Sequence, residues 1–198
     1  MQQRSEETRK RLLEAAQGMF SRKGYETASV ADICGEAGVS KGAFYHHFDS
    51  KQAVFLALLE TWLAQIDQNF QSLRQSSPDV PAAMLSMGHM AGELFQQADV
   101  RHALFLEFWT QAQRDPAVWQ AAIAPYQRYL EYFTDMFRVG IAEGSLRPVD
   151  PLAAARMTVA LALGLLMQGL FSPHGVDWAQ ETAQYVAYLM DGLARRQA

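Results

Sequence analysis

Apolar residues recur along most of the chain at three- and four-residue spacing, the period of a helix buried on one side. No stretch alternates with the two-residue period of a strand. In the first segment Leu12, Leu13, Ala16, Met19 and Phe20 form one stripe, with Ser5 as a candidate cap and Gly24 as the stop after Lys23. Val30, Ile33, Cys34 and Ala37 form a second, shorter stripe, and Phe44 with Phe48 a third. A long fourth helix starts at Lys51 behind Ser50 and carries Val54, Phe55, Leu58, Leu59, Trp62, Leu63, Ile66 and Phe70 towards Leu73. The polar cluster from Gln75 to Asp79 breaks the pattern. Helices follow at about residues 81–97, 100–114 and 116–143, the last with Pro125 as a candidate break. Asp150-Pro151 opens another, because Asp caps well and Pro suits the first helical position. Ser172-Pro173-His174-Gly175 ends it, and Asp177 opens a last helix to about Arg196. The pattern predicts an all-α fold of about nine helices.

The segment from Ser29 to Lys51 is the most specific. Ser29 with Asp32 three positions on is a capping-box start, and Gly38 fits the left-handed stop of a short helix. Ser40 then caps a second short helix carrying Phe44, Tyr45, His46, His47 and Phe48. Two short helices joined at residues 37–40 make a helix-turn-helix, whose second helix is built to enter the major groove of DNA. That helix opens with Ser40, Lys41, Gly42 and Ala43, which lack the bulk to hold it off the base edges.

The run AGVSKGAFYHHFDSK, with GYETASVADIC before it, resembles the signature of the TetR family of one-component bacterial transcriptional regulators. The resemblance covers about Arg9 to Leu59, and the aromatic-His-His-Phe run followed by a helix-opening Lys gives it its specificity. It implies a three-helix DNA-binding domain at residues 1–50 and a helical ligand-binding and dimerisation domain at residues 51–198. It also implies a regulator, usually a repressor, released from a palindromic double-stranded DNA operator by a small-molecule effector. An architectural DNA-binding protein without a ligand is the rival reading.

Specific DNA binding needs donors for phosphates and a few side chains that reach base edges. The candidates are Ser29, Ser40, Lys41, Gly42, Ala43, Tyr45, His46, His47 and Lys51. Lys41 opens the recognition helix, within reach of a guanine edge or a phosphate, with a solvated surface lysine as the lesser alternative. Gly42 lowers helix propensity by roughly 1 kcal/mol relative to Ala, which close approach of backbone to DNA explains. Helical spacing puts Tyr45 and His46 on the face of Lys41 and Gly42, and Phe44 and Phe48 on the opposite one. By resemblance, Tyr45 meets a phosphate, His46 a phosphate or base, and His47 the DNA backbone. Lys51 matches the family's phosphate-contacting lysine, at a helix N-terminus that also favours an anion. Ser29 offers a hydroxyl at another N-terminus. His46 and His47, adjacent on a helix, point about 100° apart and do not chelate together.

Composition changes this picture only in places. The net charge of −4 is unusual for a DNA binder, but all four lysines lie in the first 51 residues, so the acidic excess belongs to the remainder. One cysteine, Cys34, excludes an internal disulfide and suits the cytoplasm, as does the lack of a signal-peptide pattern in the first 16 residues. Leu152–Phe171 is long enough to span a bilayer, yet Arg156 and Gln168 interrupt it and no aromatic belt flanks it. A helix apolar around most of its circumference needs cover on several sides, which predicts a homodimer rather than a membrane span.

No Gly-rich phosphate loop, G-x-S-x-G elbow or H-E-x-x-H is present, so the chain is not read as an enzyme and no cofactor or metal is expected. The chain has nine Met against four Ile, and soft thioethers line adaptable pockets as readily as they fill cores. The candidate effector contacts are Met87, His89, Met90, Phe105, Phe108, Trp109, Tyr126 and Met167, around an unidentified, largely apolar organic molecule. Glu93 or Glu107 would serve a cationic effector.

Overall fold

The computed structural model describes residues 2–96, 107–171 and 175–193. These residues form helices and no strand. The helices are α1 (Gln2–Lys23), α2 (Val30–Ala37), α3 (Lys41–His47), α4 (Lys51–Ser76) and α5 (Val80–Gln96). The helical residues 107–112 are designated α6, and α7 (Pro116–Glu143), α8 (Pro151–Phe171) and α9 (Trp178–Leu193) complete the order. The expected all-α fold is therefore present. Pro125 does not break α7, which runs through it. Ser5 lies inside α1 rather than capping it.

The helix starts follow a short chemical rule. Four amides at each helix N-terminus have no partner within the helix, and a Ser or Asp oxygen just before it takes one of them. Ser40 Oγ accepts from the Ala43 amide and Ser50 Oγ from Ala53, each at 3.1 Å. Asp79, Asp115, Asp150 and Asp177 do the same for α5, α7, α8 and α9 through Ala82 (2.9 Å), Ala117 (2.8 Å), Leu152 (3.0 Å) and Gln180 (3.1 Å).

The chain forms two compact units, Met1–Gln65 with Asp99–Ala122, and Ile66–Ala98 with Ile123–Ala198. Compactness thus divides the chain differently from the motif boundary at residue 50, because α4 and α7 each contribute to both units. In the first unit Leu12, Ala16 and Phe20 of α1 bury against Ile33, Phe44, Val54 and Phe55. Phe108 of α6 joins this core and stacks on Phe55 with ring centroids 3.9 Å apart. In the second unit Val80, Met84 and Met87 of α5 pack with Phe133 and Phe137 of α7, Ala155 and Val159 of α8 and Val186 and Met190 of α9.

The contact of α5 with α9 is close because α5 carries two glycines there. A Cβ at Gly88 would lie 2.9 Å from a Val186 methyl, and one at Gly92 would lie 2.7 Å from the Ala179 Cα and 2.8 Å from its carbonyl oxygen. A methyl side chain can give way, but backbone cannot. α8 is long and apolar enough to cross a membrane by length and composition. Its Ala154, Ala155, Val159, Leu165 and Leu166 are buried in the second unit, while Leu152, Met157, Leu163 and Phe171 are exposed.

Gly92→Ala should therefore destabilise the protein by about 1–3 kcal/mol through overpacking, measured by urea unfolding. An unchanged midpoint would show that α5 and α9 pack more loosely than described.

Candidate nucleic-acid interface and effector pocket

The two motif helices are fixed by polar contacts at their ends. At the start of α2 the Ser29 hydroxyl accepts from the Asp32 amide at 3.1 Å, and Asp32 Oδ2 accepts from the Ser29 amide at 2.9 Å, a reciprocal capping box. Lys23 adds an ion pair to Asp32 at 2.8 Å. That hydrogen bond from Lys23, with those from Ser29, holds the Asp32 carboxyl well below the usual carboxylate range. At the end of α2 Gly38 takes φ 62°, and its amide bonds back to the helix carbonyls. Arg11 of α1 donates to the Ala37 and Gly38 carbonyls and so clamps the turn between α2 and α3.

α3 is thereby presented edge-on to solvent. Phe44 and Phe48 are buried, and Arg9 lies over the Phe48 ring at 5.3 Å. The opposite face carries Lys41, Gly42, Tyr45 and His46, all exposed, with Ala43 and His47 half-buried at its margins. Tyr45, at 54% exposure, is a large aromatic side chain facing water. A Cβ at Gly42 would meet only Ser40 Oγ, at an ordinary 3.7 Å, so nothing inside the protein demands glycine there. Burial pushes the His47 imidazole below its usual value, and the charges of His46 and Arg9 act in the same direction. Ser29 and Ser40 are exposed, with their oxygens engaged in capping.

Lys51 is placed differently from its neighbours. Its ammonium donates to the carbonyls of Tyr25 (2.6 Å), Ala28 (3.0 Å) and Glu26 (3.3 Å) and lies 4.3 Å from the Tyr25 ring centroid. All three of its donors are engaged by the loop that leads into α2. The loop and the first turn of α4 are tied to residues 107–122. Gln111 of α6 donates to Glu26 at 2.9 Å, and Gln52 of α4 donates to Asp115 at 2.8 Å. Spacing along the sequence gives no sign of these bonds, or of Arg11, because the partners lie 26 to 85 residues apart.

In the second unit a pocket of about 60 Å³ opens among Phe70, Met84, Met87, Gly88, Ala91, Phe133, Thr158, Leu161, Ala162, Leu165, Thr182, Val186 and Leu189. Of the sequence-derived effector contacts only Met87 lines it. His89 is exposed, as is Tyr126, and Met90 and Met167 are half-buried elsewhere. Phe108 belongs to the core of the first unit, and Trp109 meets Trp119 edge-on at 6.2 Å. Phe105 lies outside the described residues. Glu93 is exposed and Glu107 bonds Gln111, so neither carboxylate faces the pocket. α5, α7 and α8, three of the helices that carry those candidates, do line the pocket. α4 and α9 supply its other walls. Among the described residues no group of three or more His, Cys, Asp or Glu is placed to hold a metal ion.

A helix-turn-helix with an exposed second helix, in an all-α chain, defines a DNA-binding regulator. Residues 12–58 match the model of the bacterial regulatory proteins of the tetR family, and residues 81–195 match that of the BetI-type transcriptional repressor, C-terminal. The chain belongs to the TetR family and is a DNA-binding transcriptional repressor. The family is one of transcriptional regulators, not of enzymes, and its members bind operators, dimerise and bind small molecules. The chain is 29% identical over 164 residues to the uncharacterized HTH-type transcriptional regulator YfiR of Bacillus subtilis, covering 81% of this chain and 78% of that one. It is 28% identical over 192 residues to the HTH-type transcriptional repressor KstR2 of Mycolicibacterium smegmatis, covering 96% and 92%. A regulator from Saccharomonospora viridis, solved in complex with choline, superposes with a TM-score of 0.80 at 22% identity, covering 96% of this chain and all of that one.

Lys51→Met, which keeps the stem and removes the ammonium, should cost about 1–3 kcal/mol of stability by leaving three loop carbonyls without their donor. Thermal or urea unfolding measures this. Undiminished stability with a salt slope of DNA binding shallower by about one unit would instead put the ammonium on a phosphate.

Proposed function

We propose that the protein is a homodimeric repressor that reads a palindromic operator through α3 and leaves it when a small, uncharged, largely apolar molecule enters the body. The observation that carries this reading is the exposed face of α3. Lys41, Gly42, Tyr45 and His46 stand together there, and glycine occupies a position where the protein's own packing would accept a side chain. Direct contact of the helix backbone with DNA explains that choice, and Lys41 and Tyr45 supply a cation and a hydroxyl for phosphates or base edges. Ser29, Ser40, Ala43 and His47 flank this face. Lys51 contributes by holding the loop before α2 rather than by reaching DNA.

The dimer reading rests on α8. Leu152, Met157, Leu163 and Phe171 are exposed apolar residues of α8, with Phe171 at 81% exposure, and Tyr188 of α9 is exposed as well. Exposed apolar surface of this kind marks an interface, and two such helix pairs make a four-helix bundle. Leu165 of the same helix is buried within its own subunit at 1% exposure, so a charge there would test folding instead.

For the effector, the pocket's lining favours a neutral molecule over a cation of the choline kind, since no carboxylate lies among its walls. At about 60 Å³ it holds a few waters, so an organic ligand selects a state in which Met84 and Met87 have moved. A regulator of this family performs this exchange on DNA in the cytoplasm.

Gly42→Ala separates folding from DNA contact. The variant should be as stable as the parent or more so, by up to about 1 kcal/mol from helix propensity, while operator affinity falls at least tenfold in fluorescence anisotropy. Retained affinity would place DNA elsewhere. Met157→Glu should turn the dimer into a monomer in sedimentation at micromolar concentration, and a dimer that survives it would move the interface off α8.

A further inference from the structure

Among the described residues, three buried side-chain polar atoms have no hydrogen-bond partner: Trp62 Nε1, Tyr129 Oη and Thr182 Oγ1. Tyr129 stands beside the Arg128–Asp67 ion pair, and Trp62 packs against the core of the first unit. Only Thr182 lines the pocket. It is 2% exposed, so water does not serve it from outside.

Its isolation is unusual for its setting. A threonine or serine inside a helix ordinarily returns its hydroxyl to the carbonyl four residues earlier. Thr158 does so to Ala154 at 3.0 Å, Thr134 to Leu130 at 2.6 Å, Thr61 to Ala57 at 2.8 Å and Ser86 to Ala82 at 3.0 Å. Thr182, in the second turn of α9, makes no such bond. Thr158, the other hydroxyl in the lining, is thereby satisfied as a donor, which leaves Thr182 as the pocket's unused one. A buried hydroxyl without a partner is unfavourable, and valine would fill the same space at no such cost.

We propose that Thr182 is the polar anchor of the effector pocket, and that the effector is an uncharged hydrocarbon skeleton bearing one carbonyl or hydroxyl oxygen that pairs with the Thr182 hydroxyl. This rests on the reading of the body as a ligand sensor and gives that ligand its chemistry. The lining holds no Asp, Glu, Lys, Arg or His, so a charged head group would be desolvated there without a counter-charge. A ketone or alcohol has one oxygen to satisfy, and the lining has one free hydroxyl to offer. The rest of the ligand meets Met84, Met87, Phe133, Leu161 and Leu189.

The test uses an isosteric pair of probes, cyclohexanone and methylenecyclohexane, which differ in one oxygen. Calorimetry on the full-length protein measures their affinities for wild type, Thr182→Val and Thr182→Ser. Wild type and Thr182→Ser should prefer the ketone by about fivefold, and Thr182→Val should abolish the preference while retaining the hydrocarbon and unfolding no earlier than wild type. A ketone preference that persists in Thr182→Val, or none in wild type, overturns the proposal, as does failure of both probes to bind. Operator anisotropy with each probe present separates this from the wider reading. Operator release by both probes without discrimination would keep the sensor and remove the anchor. Thr182-dependent ketone binding that leaves operator affinity unchanged would keep the anchor and remove the sensor.

Discussion

The ammonium of Lys51, held by three carbonyls of the loop at residues 25–28, fixes the first turn of α4 to the entrance of α2. A lysine charge is strongly hydrated, and three backbone carbonyls with an aromatic face replace most of that hydration shell. The start of α4 therefore cannot shift without carrying the loop, and the loop carries Ser29, whose capping box sets the axis of α2. Arg11 then joins α1 to the turn at Gly38, so the position of α3 follows from the same small set of polar contacts. Buried Phe44 and Phe48 fix its rotation, which leaves Lys41, Gly42, Tyr45 and His46 on its exposed face.

The loop and the start of α4 are also where residues 107–122 attach. Gln111 reaches Glu26, Gln52 reaches Asp115, and Phe108 stacks on Phe55. These contacts make the first compact unit larger than the helix-turn-helix motif. They give a displacement of α6 a physical means of altering the loop, and with it the setting of α3, without any contact between ligand and DNA-reading helix. A regulator needs a coupling free energy between two sites, and here the bonds available to transmit it are named side chains.

Most of the DNA-reading end was legible in the sequence because its determinants are local. Ser29, Ser40 and Ser50 precede their helices by one residue, Gly38 follows its own, and the alternation of Phe44 and Phe48 with Tyr45 and His46 states which face is buried. The body was legible only as helices. Periodicity tells that a face is covered, not which element covers it. Periodicity therefore offers Phe108 as a pocket wall, whereas the structure buries it against Phe55 of the first unit. Thr182 gave no signal at all, because a threonine amid apolar helix residues looks the same whether its hydroxyl returns to its own helix or not. The loop contacts of Lys51 left no trace in the sequence for a related reason: its carbonyl partners lie 23 to 26 residues away and have no side-chain signature.

The central claim is that this chain reads sequence with α3, two copies at a time. Selection of bound duplexes from a random pool, followed by footprinting at fixed salt, tests it most directly. The account predicts an inverted repeat whose half-sites are spaced for two recognition helices on one face of the duplex, bound at least about a thousandfold more tightly than a scrambled site of equal length. Equal affinity for selected and scrambled duplexes would contradict it and leave a protein that holds DNA by its phosphates alone.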